Sequence, residues 1–194
     1  MKSYYKKKVC RLCNSSNLSK ILDLGDTPPG NNLKYKVCSQ KKFPLEVYFC
    51  QDCSHSQLGH VVHPSYLFQN NYSYLSSISE VFLKHLEQYS KKMINKFKLD
   101  NHSLVVDIGS NDGSCLSFFK KKSIRVVGVD PAKNIATIAN KKGIKTIPSF
   151  FNSNVVKKIL SNYGKADLIT SHNCLAHIDN LSQIFNLSKK LLSK

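Results

Sequence analysis

The sequence predicts an α/β protein: a small cysteine-clamped module over residues 1–66, a connecting segment and helix over 67–100, and a Rossmann-like domain with about four parallel strands over 101–194. Three observations carry this reading. Cys10, Cys13, Cys50 and Cys53 form two Cys-x-x-Cys pairs. Phe82, Leu86, Tyr89, Met93 and Phe97 recur every three or four residues, the period of an amphipathic helix packed on a core. From Leu104 onward, short apolar runs alternate with longer amphipathic segments, the pattern of a parallel sheet with right-handed helical crossovers.

Each Cys-x-x-Cys pair places two thiolates on one tight turn. Two such knuckles close a tetrahedral site with zinc–sulfur distances of about 2.3 Å. Zinc accepts all-thiolate ligation, and four cysteines leave no position for an activated water, so the metal is read as structural. Seven cysteines, with no apolar signal core after the basic stretch Met1–Lys8, argue against a disulfide framework and for a cytoplasmic protein. Between the knuckles, Ile21–Leu24 begins as a short strand and the segment closes in a Gly/Pro/Asn turn through Asn32. Phe43–Phe49 alternates apolar and polar residues, a strand leading into the second knuckle. Cys38 falls in a lysine-rich loop and is read as a bystander; His55, His60 and His63 are unnecessary as ligands. So small a module buries little apolar surface, and the metal is expected to supply folding free energy.

Ser79 is the expected N-cap of the connecting helix. The tyrosine- and serine-rich stretch Asn70–Ser77 before it is equally an ordinary loop or the lining of a pocket. In the second domain the expected strands are Leu104–Ile108, Ile124–Val129, Ile144–Ile147 and Asp167–Ser171. The expected helices are Ser114–Lys121, Asn134–Lys142, Asn152–Asn162 and Asn180–Leu192. Ligands in such sheets bind beyond the carboxyl ends of the strands, near the point where strand order reverses.

The loop after the first of these strands is Gly109-Ser110-Asn111-Asp112-Gly113. It lacks the close-set glycines of a pyrophosphate loop, and its two glycines suit the approach of a smaller, phosphate-free group. Asp130 closes the next strand about 20 residues on, where a carboxylate accepts hydrogen bonds from ribose hydroxyls. Asp107, at the end of the first strand, is placed to sit beneath a cationic amino-acid tail. A sulfonium cofactor with a ribose and an amino-acid end fits this set better than a dinucleotide does.

A formal net charge of +17 attracts polyanions in general. The lysines, however, are dispersed in short groups such as Lys6–Lys8, Lys120–Lys122 and Lys157–Lys158, without interleaved aromatic residues. Nucleic acid is therefore not the expected partner, although the field still draws in nucleotide-linked substrates. No stretch reaches the ~18 apolar residues needed to cross a bilayer, so no membrane partner is expected.

Several segments together carry a family resemblance: the two knuckles, Leu22-Asp23-Leu24-Gly25 with Pro28, Phe43-Pro44-Leu45, Tyr72–Ser77, Asp107–Gly113, Gly128–Ala132, Ser149-Phe150-Phe151 and Asn173–Ile178. They resemble the S-adenosylmethionine-dependent C-methyltransferases that act on nucleotide-linked keto-deoxysugars. The resemblance covers nearly the whole chain. It implies a class I methyltransferase domain behind a zinc-binding domain, with S-adenosyl-L-methionine held by Asp107, Gly109, Ser110, Asn111, Asp112, Gly113, Asp130, Phe150 and Asn173. It also implies removal of a proton alpha to the sugar ketone and attack of the enolate on the cofactor's methyl group, with Tyr74 and His177 contacting substrate. His172 is a weaker candidate. Family members continue beyond Lys194 with further strands and a C-terminal domain bearing His, Tyr and Glu residues for deprotonation. The domain is therefore expected to be incomplete, its fourth strand left open for a missing half or a partner. The other functions weighed are a zinc- and cofactor-binding fragment without turnover, and an RNA-binding zinc-ribbon methyltransferase.

Overall fold

A computed structural model describes residues 3–30, 36, 38–69 and 72–193. The Asn31–Asn32 end of the expected turn, part of the lysine-rich loop and Asn70–Asn71 lie outside the described residues. The chain forms two compact units, Met1–Tyr72 with Asp179–Leu181, and Ser73–Ile178 with Ser182–Lys194.

In the first unit the alternating run Phe43–Phe49 does form a strand, β3 (Phe43–Cys50), central in an antiparallel sheet between β2 (Leu18–Thr27) and β4 (Ser56–Leu58). β2 is longer than the short strand expected, because register shifts between Lys20 and Leu22 and between Asp23 and Asp26 let it bend through Gly25 and stay paired. A second antiparallel pair joins β1 (Tyr4–Lys6) to β5 (His60–Val62). A short helix, α1 (Pro64–Phe68), follows, with proline in its first turn and the His63 ring accepting from the Ser65 amide. Among the described residues the buried apolar side chains here are few: Phe43, Cys10 and Cys50. Buried Gln57 supplies what apolar packing does not, accepting from Arg11 N–H and donating to the Val9 carbonyl.

In the second unit the long helix α2 (Glu80–Phe97) starts where Ser79 was expected to cap it, the Ser79 hydroxyl accepting from the Phe82 amide. Its stripe is buried at Leu86 and partly buried at Phe82, Tyr89 and Met93. Phe97, expected in the core, is instead exposed, under the Lys96 ammonium. It falls on the last turn, and Lys98 then ends the helix in a left-handed conformation.

The parallel strands are β6 (Leu104–Ile108), β7 (Arg125–Val129), β8 (Thr146–Ile147) and β9 (Leu168–Thr170). The helices between and after them are α3 (Ser114–Lys120), α4 (Lys133–Lys141), α5 (Ser153–Tyr163) and α6 (Leu181–Leu191). Among the described residues the order is β8-β7-β6-β9, all parallel. β6 is buried along its whole length, as a strand covered on both faces should be. Leu104, Val106 and Ile108 pack with α5 and α6 through Val155, Ile159, Leu187 and Leu191. Val105 points the other way, into a core with Leu86, Leu116 and Phe119. No helix among the described residues is long and apolar enough to cross a membrane.

Candidate functional site

Both knuckles fold alike. Cys10 N–H donates to Ser15 C=O and Asn14 N–H returns to Cys10 C=O; Cys50 N–H donates to His55 C=O and Ser54 N–H returns to Cys50 C=O. Asn14 and Ser54 take the same left-handed conformation, with φ of 63° and 61°. These turns bring four Sγ atoms within 4.8 Å of one another, with Cys10–Cys53 and Cys13–Cys50 separations of 3.6 Å. A tetrahedron of sulfurs about 2.3 Å from a central zinc has edges of about 3.8 Å, so the residues fit the ion. Burial acts to raise the Cys10 thiol, but the backbone N–H groups of Cys13 and Leu12, together with the Cys53 and Cys13 thiols, bring it down to about 7, while sharing protons with these neighbours pushes Cys13 and Cys53 up; without a metal the cluster favours one thiolate, at Cys10. Cys38 is exposed and the three nearby histidines stand outside this group.

The strand order reverses at β6. From it the chain steps outward through β7 and β8, then returns to place β9 on its other side. Because the sheet is parallel, the loops after all four strands leave from one edge. That edge carries Gly109–Gly113 after β6, Asp130 after β7, Phe150 after β8, and Asn173 and His177 after β9. Asp130 is buried, its Oδ2 accepting from Asn111 N–H at 2.9 Å and its Oδ1 from Ala132 N–H at 2.9 Å. Two backbone donors thus fix the carboxylate's direction and leave each oxygen a lone pair for a hydroxyl. Burial raises its pKa, and those donors partly offset the rise.

The glycines answer first to the protein's own packing. Gly109 has φ +74° and a Cβ there would lie 2.8 Å from Cys174 Cβ and Sγ; Gly113 has φ +79° and would meet Ile144 at 2.9 Å. Ser110 Oγ is buried without a hydrogen-bond partner among the described residues. Asp112 is fully buried, accepting from Ser114 Oγ at 2.6 Å and Lys142 Nζ at 3.0 Å. Burial would raise its pKa, but these donors and the Ser77 hydroxyl hold it below the usual range. Asn111 points its amide at the backbone of Tyr74 and Ser76. Phe150 is half-buried, while Tyr74, Asn173 and His177 are exposed.

Asp107 is buried and accepts from Thr170 Oγ1 at 2.7 Å. Cys115 and His172, neither a leading candidate in the sequence, bring their ligand atoms to within 4.8 Å of its carboxylate and of each other. His172 Nδ1 lies 4.0 Å from Asp107 Oδ1, is buried without a hydrogen-bond partner among the described residues, and the ring stands edge-on to Tyr89. Burial pushes the Cys115 thiol up and the His172 imidazole down, so both are uncharged at neutral pH. The one available signal was the i, i+2 spacing of Thr170 and His172 off a strand end.

Burial also pushes Asp107 up to about 7, with the Asp130 charge adding to the rise and Thr170 opposing it. The folded protein therefore holds this proton between about pH 4 and pH 7 where the unfolded chain has lost it. Stability is complete below the unfolded value of about 3.9 and falls as pH rises toward 7, by about 4 kcal/mol in all. Asp107→Asn keeps an acceptor for Thr170 and removes the ionisation. Its melting temperature is expected to exceed the parent's by several degrees at pH 8, by a smaller margin at pH 5, and to match it only below about pH 4, measured by calorimetry. Equal differences at pH 8 and pH 5 would show that Asp107 is charged in the fold.

A family model described as "Putative zinc binding domain" matches residues 10–68. A second, described as "Methyltransferase domain", matches residues 82–194, more than half of the chain. The chain belongs to the methyltransferase-domain family. In this methyltransferase-family chain the zinc-binding match spans all four cysteines of the cluster, and the methyltransferase match runs from Phe82, in the first turn of α2, through all four parallel strands β6–β9. Among curated proteins it is similar to the C-methyltransferase NovU of Streptomyces niveus, 34% identical over 187 residues, or 95% of this chain and 44% of the relative. The chain thus spans less than half the length of that relative. Solved structures similar to it include the plantazolicin methyltransferase BpumL in complex with a pentazolic desmethylPZN analog and SAH, at 22% identity and TM-score 0.45 over 58% of this chain and 42% of that one. A SAM-dependent methyltransferase from Archaeoglobus fulgidus is similar at 18% identity and TM-score 0.45, over 57% and 48%.

Proposed function

We propose that the chain is the zinc- and cofactor-binding part of an S-adenosylmethionine-dependent C-methyltransferase acting on a nucleotide-linked keto-deoxysugar in the cytoplasm. The observation that carries the cofactor assignment is Asp130: a buried carboxylate at the strand-order switch, aimed by two backbone N–H groups, with free lone pairs for a ribose diol. The substrate class rests on the 34% identity to a C-methyltransferase together with the tyrosine, loop and histidine motifs. S-adenosylmethionine supplies an electrophilic methyl group when bound. Asp130 accepts from its ribose hydroxyls, while Ser110 Oγ offers a donor and Asp107 an anionic or proton-sharing floor for the amino-acid end. Phe150 and Asn173 border the same edge. Tyr74 and His177 hold the sugar and take part in moving the proton alpha to the ketone. Loss of that proton to a base at this edge would leave an enolate whose carbon could accept the methyl group as the methyl–sulfur bond breaks, the electron pair staying on sulfur. A donor on the enolate oxygen lowers that barrier.

The span of 44% of the relative favours a second reading, in which the chain binds zinc and cofactor but does not turn over alone. Titration calorimetry separates the two readings from an unrelated fold. The parent is expected to bind S-adenosylmethionine saturably, and Asp130→Ala to bind it at least 30-fold more weakly. No heat at millimolar cofactor would remove both readings. Incorporation of labelled methyl into a keto-sugar nucleotide by the chain alone would favour the first over the second.

A further inference from the structure

Asn111 makes three bonds in three directions. It sits in the left-handed region with φ +50°, which asparagine tolerates better than other non-glycine residues. That conformation aims its backbone N–H at Asp130 Oδ2, 2.9 Å away. Its side-chain amide, buried to 8% exposure, leaves the loop and brackets a distant segment: Oδ1 accepts from Ser76 N–H at 2.8 Å and Nδ2 donates to the Tyr74 carbonyl at 3.0 Å. Next to it, the buried Asp112 carboxylate accepts from the Ser77 hydroxyl. Tyr74–Ser77 contributes no strand and only the start of the one-turn 3-10 helix Ser76–Ile78. Two side chains of the glycine loop hold it, while the Tyr74 ring remains exposed.

We infer that Asn111 is a positioning residue, a latch that ties the placement of Tyr74 to the loop beside Asp130, rather than a residue whose side chain touches the cofactor. This rests on the functional reading above. Both hydrogen-bonding ends of the amide are used on the Tyr74–Ser76 backbone, and its backbone N–H is used on Asp130. Ordering of the Asp130 loop by a ribose is then passed through one residue to the segment that carries the tyrosine.

The test is residue-resolved amide exchange on the full chain, with and without S-adenosylmethionine. Asn111→Gly keeps the left-handed backbone and the N–H to Asp130 but deletes the amide. Ser76 N–H is expected to exchange about tenfold faster in this variant without cofactor, as for the loss of one hydrogen bond. Gly113 N–H, bonded to Ser110 C=O, is expected to stay as in the parent. Adding cofactor should slow Ser76 exchange in the parent and not in the variant. Ser76→Pro is the second variant. It removes the donor from the other side, at the first position of a turn preceded by an extended Leu75 (φ −119°, ψ 129°), where proline is tolerated. Ile78 N–H, bonded to Leu75 C=O, reports there, and it should lose its cofactor-dependent slowing. Equal Ser76 exchange in parent and Asn111→Gly overturns the latch, and so does a cofactor response that survives in both variants. If calorimetry finds no cofactor binding to the parent, the functional reading falls, and the comparison without cofactor still decides whether Asn111 holds the segment.

Discussion

A Cys50→Ser variant is expected to purify with less than a tenth of the zinc of the parent and without a folded Met1–Tyr72 unit. Among the described residues the unit's buried apolar side chains are Phe43, Cys10 and Cys50, and its sheets have at most three strands. That much burial does not offset the conformational entropy of about 70 residues. Structural zinc contributes about 10–16 kcal/mol of apparent binding free energy at neutral pH, which becomes folding free energy when the site exists only in the folded state. Cys50 ends β3, is fully buried and starts one of the two knuckles, so serine removes a ligand and leaves three thiolates around an open position. Metal analysis and the proteolytic lifetime of the 1–72 segment read the result. A chelator should reproduce it in the parent. The second unit, whose core residues lie between Leu86 and Leu191, is expected to keep its own melting transition. Stoichiometric zinc in the variant, or an unchanged proteolytic lifetime after chelation, would refute the structural role.

Gly109→Ala is expected to destabilise the second unit by about 2–5 kcal/mol, from two separable sources. A φ of +74° costs an alanine about 1–2 kcal/mol. Its Cβ would also lie 2.8 Å from both Cβ and Sγ of Cys174, an overlap worth about 1–3 kcal/mol. The double variant Gly109→Ala/Cys174→Gly removes the overlap but adds the cost of Cys174→Gly itself, since Cys174 packs on the core. Chemical denaturation of the parent, both single variants and the double should therefore show the double less destabilised than the sum of the singles. If the two effects simply add, the close packing of Gly109 on Cys174 is wrong.

Much of the fold is legible because local chemistry fixes it. Ser79 caps α2 with its hydroxyl and Asn152 caps α5, accepting from the Asn154 and Val155 amides, and both stand where a polar residue precedes an apolar stripe. The continuous apolar run Leu104–Ile108 announces a strand buried on both faces. The first knuckle carries its own marker, Asn14 in the left-handed position after Cys13. The lower half of the site is not legible in this way. Asp107 meets Thr170 across 63 residues of sequence, and His172 reaches it only because β9 pairs with β6. Apolar periodicity says which face of a strand is inside and says nothing about which strand lies beside it. The family resemblance puts Asn111 and Asp112 at the cofactor, and no local signal shows what their side chains also do: they bond to the Tyr74–Ser77 segment, Ser114 and Lys142.

The sequence by itself determined two things: that four thiols come in two knuckles, and that an α/β domain carries a glycine loop and an acidic residue on successive strands. Both follow from short-range spacing, where covalent geometry leaves few options. Only the tertiary structure decided that the order β8-β7-β6-β9 reverses at β6, that Asp107 keeps company with Cys115 and His172, and that Asn111 joins Asp130 to Tyr74. Those are long-range pairings, set by which surfaces bury one another best once the strands have formed.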